Sequence, residues 1–236
     1  MKRWCILLLF FWGPIRAETP FEQARTLYDA GQFEQALDLY QSIPGHSAGL
    51  DYNIGNTLMR LGRQPEAIAH YRRAQWLRPG DPDVQANLNR AVAQTGAIVP
   101  PLPLYRRWSG ILDAAHWQLA FISLCWLGAA FGLSRRFSPR LRLAGAWVFP
   151  LLIVCLLLLG AGTWASRPGH FFDEGVVLND SVTVRFEPLP DATGHFSLPG
   201  GSVVKLMEQN RNWRRIRTDD ASGWVPEDHI QPLAPQ

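Results

Sequence analysis

Two long apolar runs near the middle of the chain constrain its fold more than any other feature. No formally charged residue lies from His116 to Leu133, or from Leu143 to Ser166. Each run approaches or exceeds the roughly 20 residues that an α-helix needs to cross a bilayer, and core helices of soluble proteins rarely reach this length. The sequence therefore predicts a two-helix transmembrane hairpin. The predicted transmembrane helices are residues 111–133 and 143–166.

The loop between the two runs predicts the orientation of the hairpin. Residues 134–142 contain four arginines and no acidic residue. Short loops rich in arginine stay in the cytoplasm. The chain therefore enters and leaves the membrane from the outer side, and the segments before and after the hairpin are predicted to lie on the outer face of the membrane. The four arginines are Arg135, Arg136, Arg140 and Arg142.

The N-terminus is typical of an export signal. Lys2 and Arg3 precede an apolar run from Trp4 to Trp12, and Ala17 offers a small residue for cleavage. This run is too short to span a bilayer, so residues 1–17 are predicted to be a signal peptide. An uncleaved segment is the alternative, because Ile15 lies two residues before Ala17, where cleavage sites prefer a small residue. Both outcomes deliver the next domain outside, which agrees with the orientation that the arginine loop predicts.

The excess of basic residues in the chain reflects its predicted membrane topology. The net charge is +3 and the isoelectric point is about 9.0, but the excess of basic residues lies at the N-terminus and beside the apolar runs, as at Arg106 and Arg167. Residues 18–96 and 171–236 each carry more acidic than basic side chains. The sequence therefore predicts no nucleic-acid binding.

Residues 18–96 contain a helical repeat. Superposing Gly31 on Gly62 also superposes Tyr40 on Tyr71, and residues 83–96 begin a further copy. The pattern resembles the tetratricopeptide repeat, a helix–turn–helix unit of about 34 residues. The resemblance implies an all-α repeat domain of about two and a half units, fewer than the three or so that normally bury a continuous core.

The repeat resemblance also implies a binding surface. Such repeats do no chemistry, and the first helices of successive units line a concave groove for a peptide. The alternative is that the same polar side chains belong to solvated helix faces. The predicted groove residues are Arg25, Tyr52, Asn56, Arg60 and Arg90.

A proline-rich linker, residues 97–110, joins the repeats to the hairpin. Three prolines lie between Val99 and Leu104. They predict a stiff extended segment, and they also suit docking into an aromatic groove. We expect a spacer that lifts the repeats off the membrane, with docking on the C-terminal domain as the alternative.

Residues 167–236 predict a small all-β barrel. Short β-branched or aromatic runs alternate with glycine, proline and aspartate turns, as expected for about sixty residues of short strands. The order of motifs resembles the bacterial SH3 domain: Val184-Arg185 early, Trp213-Arg214-Arg215-Ile216-Arg217 later, and Gly223-Trp224-Val225-Pro226 near the end.

Strand alternation singles out one tryptophan of the barrel. If Ile216 points into the core, a period of two places Trp213 on the opposite face. An outward indole exposes apolar surface, which favours a docking role; the alternative is that Trp213 only covers the barrel end. Trp224 is assigned to the core. The groove implied by the SH3 resemblance comprises Phe186, Trp213, Pro226 and His229.

No enzyme motif is present in the sequence. It contains no Walker loop, no G-x-S-x-G elbow, no H-E-x-x-H and no Cys–His cluster with metal-ligand spacing. We therefore expect a protein that is not an enzyme, with no catalytic residue, no metal site and no cofactor. An unrecognised hydrolase is the remaining alternative.

The order of the modules resembles the BatE family of bacterial aerotolerance (Bat) operon proteins. The resemblance implies an inner-membrane protein that works with von Willebrand factor A-type Bat proteins and a MoxR-type AAA ATPase, in a role linked to envelope stress. The leading hypothesis is a non-catalytic membrane scaffold that presents both periplasmic domains to partner proteins. The alternative is a cell-wall tether or sensor whose SH3-like domain binds peptidoglycan peptides.

Overall fold

The computed structural model describes residues 18–112, 114–135, 137, 139–166 and 173–233. The predicted signal peptide lies outside the described residues. Within them the chain forms a helical array, then two long apolar helices, then an antiparallel all-β sheet. This order agrees with the helical, hairpin and all-β segments that the sequence predicts.

The elements of the described residues have the following bounds. The helices are α1 (Pro20–Asp29), α2 (Phe33–Ser42), α3 (Ala48–Arg60), α4 (Gln64–Leu77), α5 (Pro82–Thr95), α6 (Leu104–Ser109), α7 (Ala114–Ser134) and α8 (Pro139–Ala165). The strands are β1 (Glu174–Val177), β2 (Ser181–Arg185), β3 (Gly194–Pro199), β4 (Val203–Asn210), β5 (Trp213–Arg217), β6 (Ser222–Pro226) and β7 (Ile230–Pro232). A 3₁₀ turn, Glu227–His229, joins β6 to β7.

Local signals set the ends of the helices in the array. Thr19 and Glu22 form a capping box at the start of α1, which satisfies backbone N–H groups that the helix leaves unpaired. Gly31 and Gly62 follow α1 and α3 with φ of 77° and 75°, a left-handed conformation that glycine adopts without strain. The two glycines therefore end the first helix of each predicted unit in the same way.

The second unit of the array is packed most tightly between α3 and α4. A Cβ at Gly55 would lie 2.7 Å from the ring of Tyr71, so only glycine lets the two helices approach this closely. Leu58 and Ala67 are fully buried beside this contact. The small residues of the repeat pattern are thus the residues that allow the helices to touch.

Helix α4 is buried on all sides from Ala67 to Trp76, including two arginines. It packs against α3 and α5 within the array and against β1 of the barrel. A helix with neighbours on every side has no solvated stripe. This location explains why its sequence lacks a clear apolar face.

The apolar helices α7 and α8 pack against each other as a hairpin. Gly162 of α8 accommodates the indole of Trp117, and a Cβ at Gly128 would lie 3.0 Å from Leu152. Both helices are long and apolar enough to cross a membrane, and their side chains are mostly exposed to the surroundings of the protein. α8 begins at Pro139, earlier than the predicted start at residue 143, because proline suits the first turn of a helix.

The C-terminal strands form one antiparallel sheet in the order β3-β2-β6-β5-β4-β1-β7. Its core is mainly aliphatic. β3, which the barrel motifs recognised in the sequence do not include, pairs with β2 from Ser181↔Pro199 to Arg185↔Gly194. The buried core residues are Val177, Val182, Val184, Leu198, Val204, Ile216, Val225 and Ile230.

The proline-rich linker is part of an interface rather than a free spacer. Ile98 accepts a hydrogen bond at its carbonyl from the backbone N–H of Val203 (2.9 Å), and its own N–H donates to Ser202 Oγ (3.1 Å). α6 occupies the end of the segment. The linker therefore contacts the C-terminal domain, the alternative to a free spacer, and it does so by hydrogen bonds of its backbone to Ser202 and Val203.

The helical array and the barrel share a hydrophobic core. Val176, Val203 and Leu233 of the barrel belong to the same buried cluster as residues of α1–α5. At Gly201, with φ of 84°, an added Cβ would collide with Ile68 of α4. The two parts that the sequence separates into different domains are thus packed together over one side of α4.

Candidate functional site

The outer face of β5 and β6 carries an aromatic patch. Trp213 lies opposite Pro226 and Arg215 lies opposite Trp224 in the strand register. Side chains directly opposite each other on one face of a sheet are in contact range. These four residues are partly exposed, whereas Ile216, on the other face of the same strands, is fully buried. We refer to Trp213, Arg215, Trp224 and Pro226 as the aromatic face.

Trp224 does not belong to the core, so the assignment made from the sequence is corrected. In β6 the buried residues are Gly223 and Val225, and Trp224 between them is partly exposed. The period-two alternation that places Trp213 on the outer face also predicts this position for Trp224, because its neighbour Val225 points into the core. Arg185 of β2 lies opposite Trp224, so the indole stands between two arginine-bearing strands.

The 3₁₀ turn after β6 is fixed beside Trp213 by polar contacts. Arg214 donates to Glu227 Oε1 (2.7 Å), and the backbone N–H of Glu227 donates to Asn212 O (2.9 Å). Gln209 Nε2 donates to the other carboxylate oxygen of Glu227 (2.5 Å). These contacts hold the residue that follows Pro226 against the β4–β5 turn, so the Trp213–Pro226 pair has a defined geometry.

The structure brings together two of the four predicted SH3-groove residues. Trp213 and Pro226 are cross-strand partners. Phe186 is 56% exposed in the loop after β2, and its ring stacks on His195 with the centroids 4.1 Å apart. His229 ends the 3₁₀ turn, where its Nδ1 is buried without a hydrogen-bond partner among the described residues.

Comparison with protein families identifies the class of the barrel. Residues 179–232 match the family model of the bacterial SH3 domain, and this range contains the whole aromatic face. The prediction of a C-terminal bacterial SH3 domain is therefore confirmed. Searches of curated proteins and of solved structures find no match for the chain.

A second candidate site lies on the helical array. Asn56 and Arg60 of α3 and Arg90 of α5 line a cavity of about 340 Å³. Tyr52, also predicted for the groove, lies beside it, since its hydroxyl accepts a hydrogen bond from Asn87 (3.1 Å). Arg25 is not among the lining residues; it is exposed on α1, 3.9 Å from Asp29. The other lining residues are Tyr28, Met59, Tyr71 and Asn87.

A hydrogen-bond network fixes the floor of this cavity. Asn56 Oδ1 accepts from the Tyr71 hydroxyl (2.7 Å) and from Asn87 Nδ2 (2.9 Å). Burial raises the pKa of Tyr71 well above its ordinary value, so the phenol keeps its proton and donates. On one wall, Arg60 Nε donates to the hydroxyl of Tyr28 (3.4 Å), which raises the pKa of Arg60.

A buried ion pair joins α4 to β1 of the barrel. Arg72 donates to both carboxylate oxygens of Glu174, each at 2.8 Å, and Trp76 Nε1 donates to the same carboxylate at 2.9 Å. The remaining donor group of Arg72 reaches Gln75 and the carbonyl of Pro100. The sequence analysis did not identify this contact, because the two ends of the ion pair are 102 residues apart.

The neighbouring arginine makes a second link to the barrel. Arg73 Nη1 lies 3.1 Å from Asp51 Oδ1, and Arg73 Nε donates to the carbonyl of Leu233 at the end of the sheet (3.0 Å). His70 Nδ1 lies 2.9 Å from the same Asp51 oxygen. Asp51 is fully buried, so it compensates the buried charge of Arg73 and orients it toward the barrel.

Arg106 joins the array to the apolar hairpin. Its guanidinium donates to the carbonyl of Trp76 at the end of α4 and, at 2.6 Å, to the carbonyl of Ala165 at the end of α8. Burial lowers the pKa of Arg106. The sequence analysis treated this residue as a flanking topology signal, whereas its contacts make it a link between three parts of the chain.

Among the described residues, no group of three or more His, Cys, Asp or Glu side chains is arranged to hold a metal ion. The polar groups described above instead form hydrogen bonds and ion pairs with one another. The arrangement presents two surfaces suited to binding, the aromatic face and the cavity lined by Asn56, Arg60 and Arg90.

Proposed function

We propose that this protein is a non-catalytic scaffold of the bacterial inner membrane, with the helical array and the bacterial SH3 domain on the periplasmic side. The length and apolar character of α7 and α8 support a membrane location. The arginines between them and the basic N-terminus support the proposed orientation.

The aromatic face is the observation that carries the proposal. One side of the SH3 domain packs on α4, while Trp213, Trp224 and Pro226 remain partly exposed on strands away from that contact. Partly exposed tryptophans are costly on a small domain unless a ligand covers them, and tryptophan and arginine are the residues most enriched at binding hot spots. The face therefore has the composition of a docking surface.

The order of modules supports the cellular context that we propose. A tetratricopeptide-like array, a hairpin and a bacterial SH3 domain resemble the BatE family, which implies von Willebrand factor A-type Bat proteins and a MoxR-type ATPase complex as partners. Only the SH3 domain has support from a family match. The partner assignment rests on the resemblance of the architecture.

Crosslinking in intact membranes tests this proposal. Wild-type protein, Trp213→Ala and a control, Leu189→Ala, are crosslinked, purified and compared by mass spectrometry. Leu189 is exposed on the same domain but lies outside the aromatic face. We expect Trp213→Ala to lose partner proteins that Leu189→Ala retains, with unchanged circular dichroism. Identical partners in all three samples would contradict the scaffold.

A cell-wall tether or sensor is the second candidate, and the bacterial SH3 match favours it, since peptidoglycan is a ligand class of such modules. Purified sacculi are mixed with the full-length protein in detergent. Sedimentation with sacculi that depends on Trp213, together with no Trp213-dependent protein partner, would support the tether over the scaffold.

A further inference from the structure

We propose that a cavity between the linker and the barrel binds the headgroup of a phospholipid that carries both a phosphate and a primary ammonium group. Lys205 and Arg217 bind the phosphate, and Asp173 and Asp219 bind the ammonium group. The inference rests on the proposed membrane location of α7 and α8, and it adds a lipid ligand to the proposed scaffold.

The cavity lies where the linker, the barrel and the end of α4 meet. Its volume of about 390 Å³ is within the range of small-molecule sites. The linker forms one wall from Ile98 to Tyr105, strands β4 and β5 form another, and Trp76 of α4 also contributes. The cavity is thus built from three parts of the chain that pack together in the folded protein.

Two cations face this cavity side by side. Lys205 of β4 and Arg217 of β5 are directly opposite each other in the strand register. Neither side chain makes an ion pair or a hydrogen bond with another described residue. Like charges directly opposite each other on a sheet are destabilising, so an anion between them would relieve the repulsion.

The nearest carboxylate on the sheet is already in use. Glu174 of β1 lies opposite Lys205 in the register, but both of its carboxylate oxygens accept hydrogen bonds from Arg72. The negative charge of Glu174 is therefore compensated on the α4 side. The positive charge of Lys205 remains available to a ligand, and phosphate is an anion that lysine and arginine bind with charge-assisted hydrogen bonds.

Two further acids make the cavity suited to a ligand with both charges. Asp173 and Asp219 line it, are exposed, and make no ion pair or hydrogen bond with another described residue. A simple anion would leave both carboxylates without a partner. A headgroup with a phosphate and a primary ammonium group uses the cations and the acids together, since an ammonium group offers three N–H donors.

The position of the cavity favours a membrane lipid over a soluble phosphate compound. The ring of Tyr105 in the cavity wall lies 6.3 Å from that of Trp164 near the end of α8, and the adjacent Arg106 donates to the carbonyl of Ala165. This end of α8 is the proposed outer end, where headgroups lie. Leu104, which precedes Tyr105, is 80% exposed and supplies apolar surface for an acyl chain.

Native mass spectrometry of the full-length protein in detergent tests the proposal. The protein is titrated separately with the palmitoyl-oleoyl forms of phosphatidylethanolamine, phosphatidylcholine and phosphatidylglycerol. Lys205→Gln and Arg217→Gln are compared with the control Arg211→Gln, which alters an exposed arginine of the same domain outside the cavity. All three positions are exposed, so the variants should fold, as circular dichroism will show.

We expect phosphatidylethanolamine to bind most tightly. The quaternary ammonium group of phosphatidylcholine has no N–H to donate, and phosphatidylglycerol has no cation for the two aspartates. Lys205→Gln and Arg217→Gln should each weaken binding about tenfold, since a charge-assisted hydrogen bond contributes enough for a factor of this size. Arg211→Gln should bind like the wild type, and Asp219→Asn should reduce the preference for phosphatidylethanolamine over phosphatidylglycerol.

Several results would overturn the proposal. They are an absence of bound lipid, equal affinity for the three lipids, wild-type binding by both cavity variants, or equal weakening by Arg211→Gln. Two soluble competitors test the source of the headgroup. If equimolar inorganic phosphate or glycerophosphoethanolamine displaced the lipid, the site would bind a soluble phosphate compound instead.

Trp213→Ala separates this proposal from the proposed scaffold. Trp213 is not among the residues that line the cavity, so the variant should bind phosphatidylethanolamine like the wild type. A loss of lipid binding in Trp213→Ala would mean that the cavity is not the site. Failure of the lipid experiment leaves the Trp213-dependent partners of the scaffold unaffected.

Discussion

The two sides of the helical array use arginine in opposite ways. On the α4 side, Arg72 and Arg73 are buried, and each donates to a carboxylate and to a backbone carbonyl. On the α3/α5 side, Arg60 and Arg90 are exposed and meet no carboxylate of the described residues. The arginines of the α4 side bind an intramolecular partner, the SH3 domain. The arginines of the α3/α5 side remain accessible to another molecule.

The comparison shows that the same residue type stabilises the fold on one surface and can serve binding on another. Burying a charge costs several kcal/mol unless a partner compensates it, so an arginine in an internal contact must be fully paired. An exposed arginine has no such requirement. Pairing, rather than position in the repeat pattern, therefore distinguishes the structural arginines from the candidate binding residues.

The largest expected effect comes from removing the buried ion pair. Arg72→Ala leaves the Glu174 carboxylate without its guanidinium partner, so that Trp76 Nε1 is the remaining side-chain donor described for it. Breaking a buried pair by removing one partner costs about 3–5 kcal/mol. Chemical unfolding of the full-length protein in nanodiscs measures the loss. The control Arg63→Ala removes an ion pair between partly exposed side chains, which contributes less than about 1 kcal/mol. If both variants lost the same free energy of unfolding, the Arg72–Glu174 pair would stabilise the fold no more than a partly exposed ion pair does.

A smaller effect is expected at the closest approach within the array. Gly55→Ala places a Cβ against the ring of Tyr71, and overpacking of this kind costs about 1–3 kcal/mol. The matched control is Gly49→Ala in the same helix, where an added Cβ meets nothing within 4 Å, and alanine should be neutral or stabilising by up to about 1 kcal/mol. Thermal unfolding compares the two. A harmless Gly55→Ala would contradict the helix contact described here.

The smallest effect is expected on the aromatic face. Trp224→Ala should change the free energy of unfolding by less than about 1 kcal/mol, because the side chain is partly exposed on the outer face of β6. Ile216→Ala, on the buried face of the paired strand, should cost about 2–5 kcal/mol. Urea unfolding of both variants measures the difference. If Trp224→Ala lost as much free energy of unfolding as Ile216→Ala, Trp224 would have to be a core residue.

Much of the local structure could be predicted from short-range patterns. Gly31 and Gly62 predict the turns within the helical units, and the apolar runs predict α7 and α8. The motifs around Trp213 and Trp224 predict the bacterial SH3 domain. In each case the signal lies within a few residues of the element that it specifies, so the pattern can be recognised without knowledge of the rest of the chain.

The candidate sites were predicted less completely. Asn56, Arg60 and Arg90 line one cavity, but Arg25 does not, because the first unit places its helix at the end of the array. Trp213 and Pro226 are adjacent, whereas the ring of Phe186 stacks on His195. Tyr28 and Asn87 were not identified, since their role depends on contacts with α3 from other helices.

The sequence by itself determined the helical, apolar and all-β segments of this protein, their order and the class of its C-terminal domain, because periodicity, turn residues and strand alternation are local properties. Only the tertiary structure decided that the linker pairs with the barrel at Val203 and that the barrel docks on α4 through Arg72 and Glu174. Such docking requires charged and apolar groups about a hundred residues apart to compensate one another on burial, and no local pattern specifies which distant partner will meet that requirement.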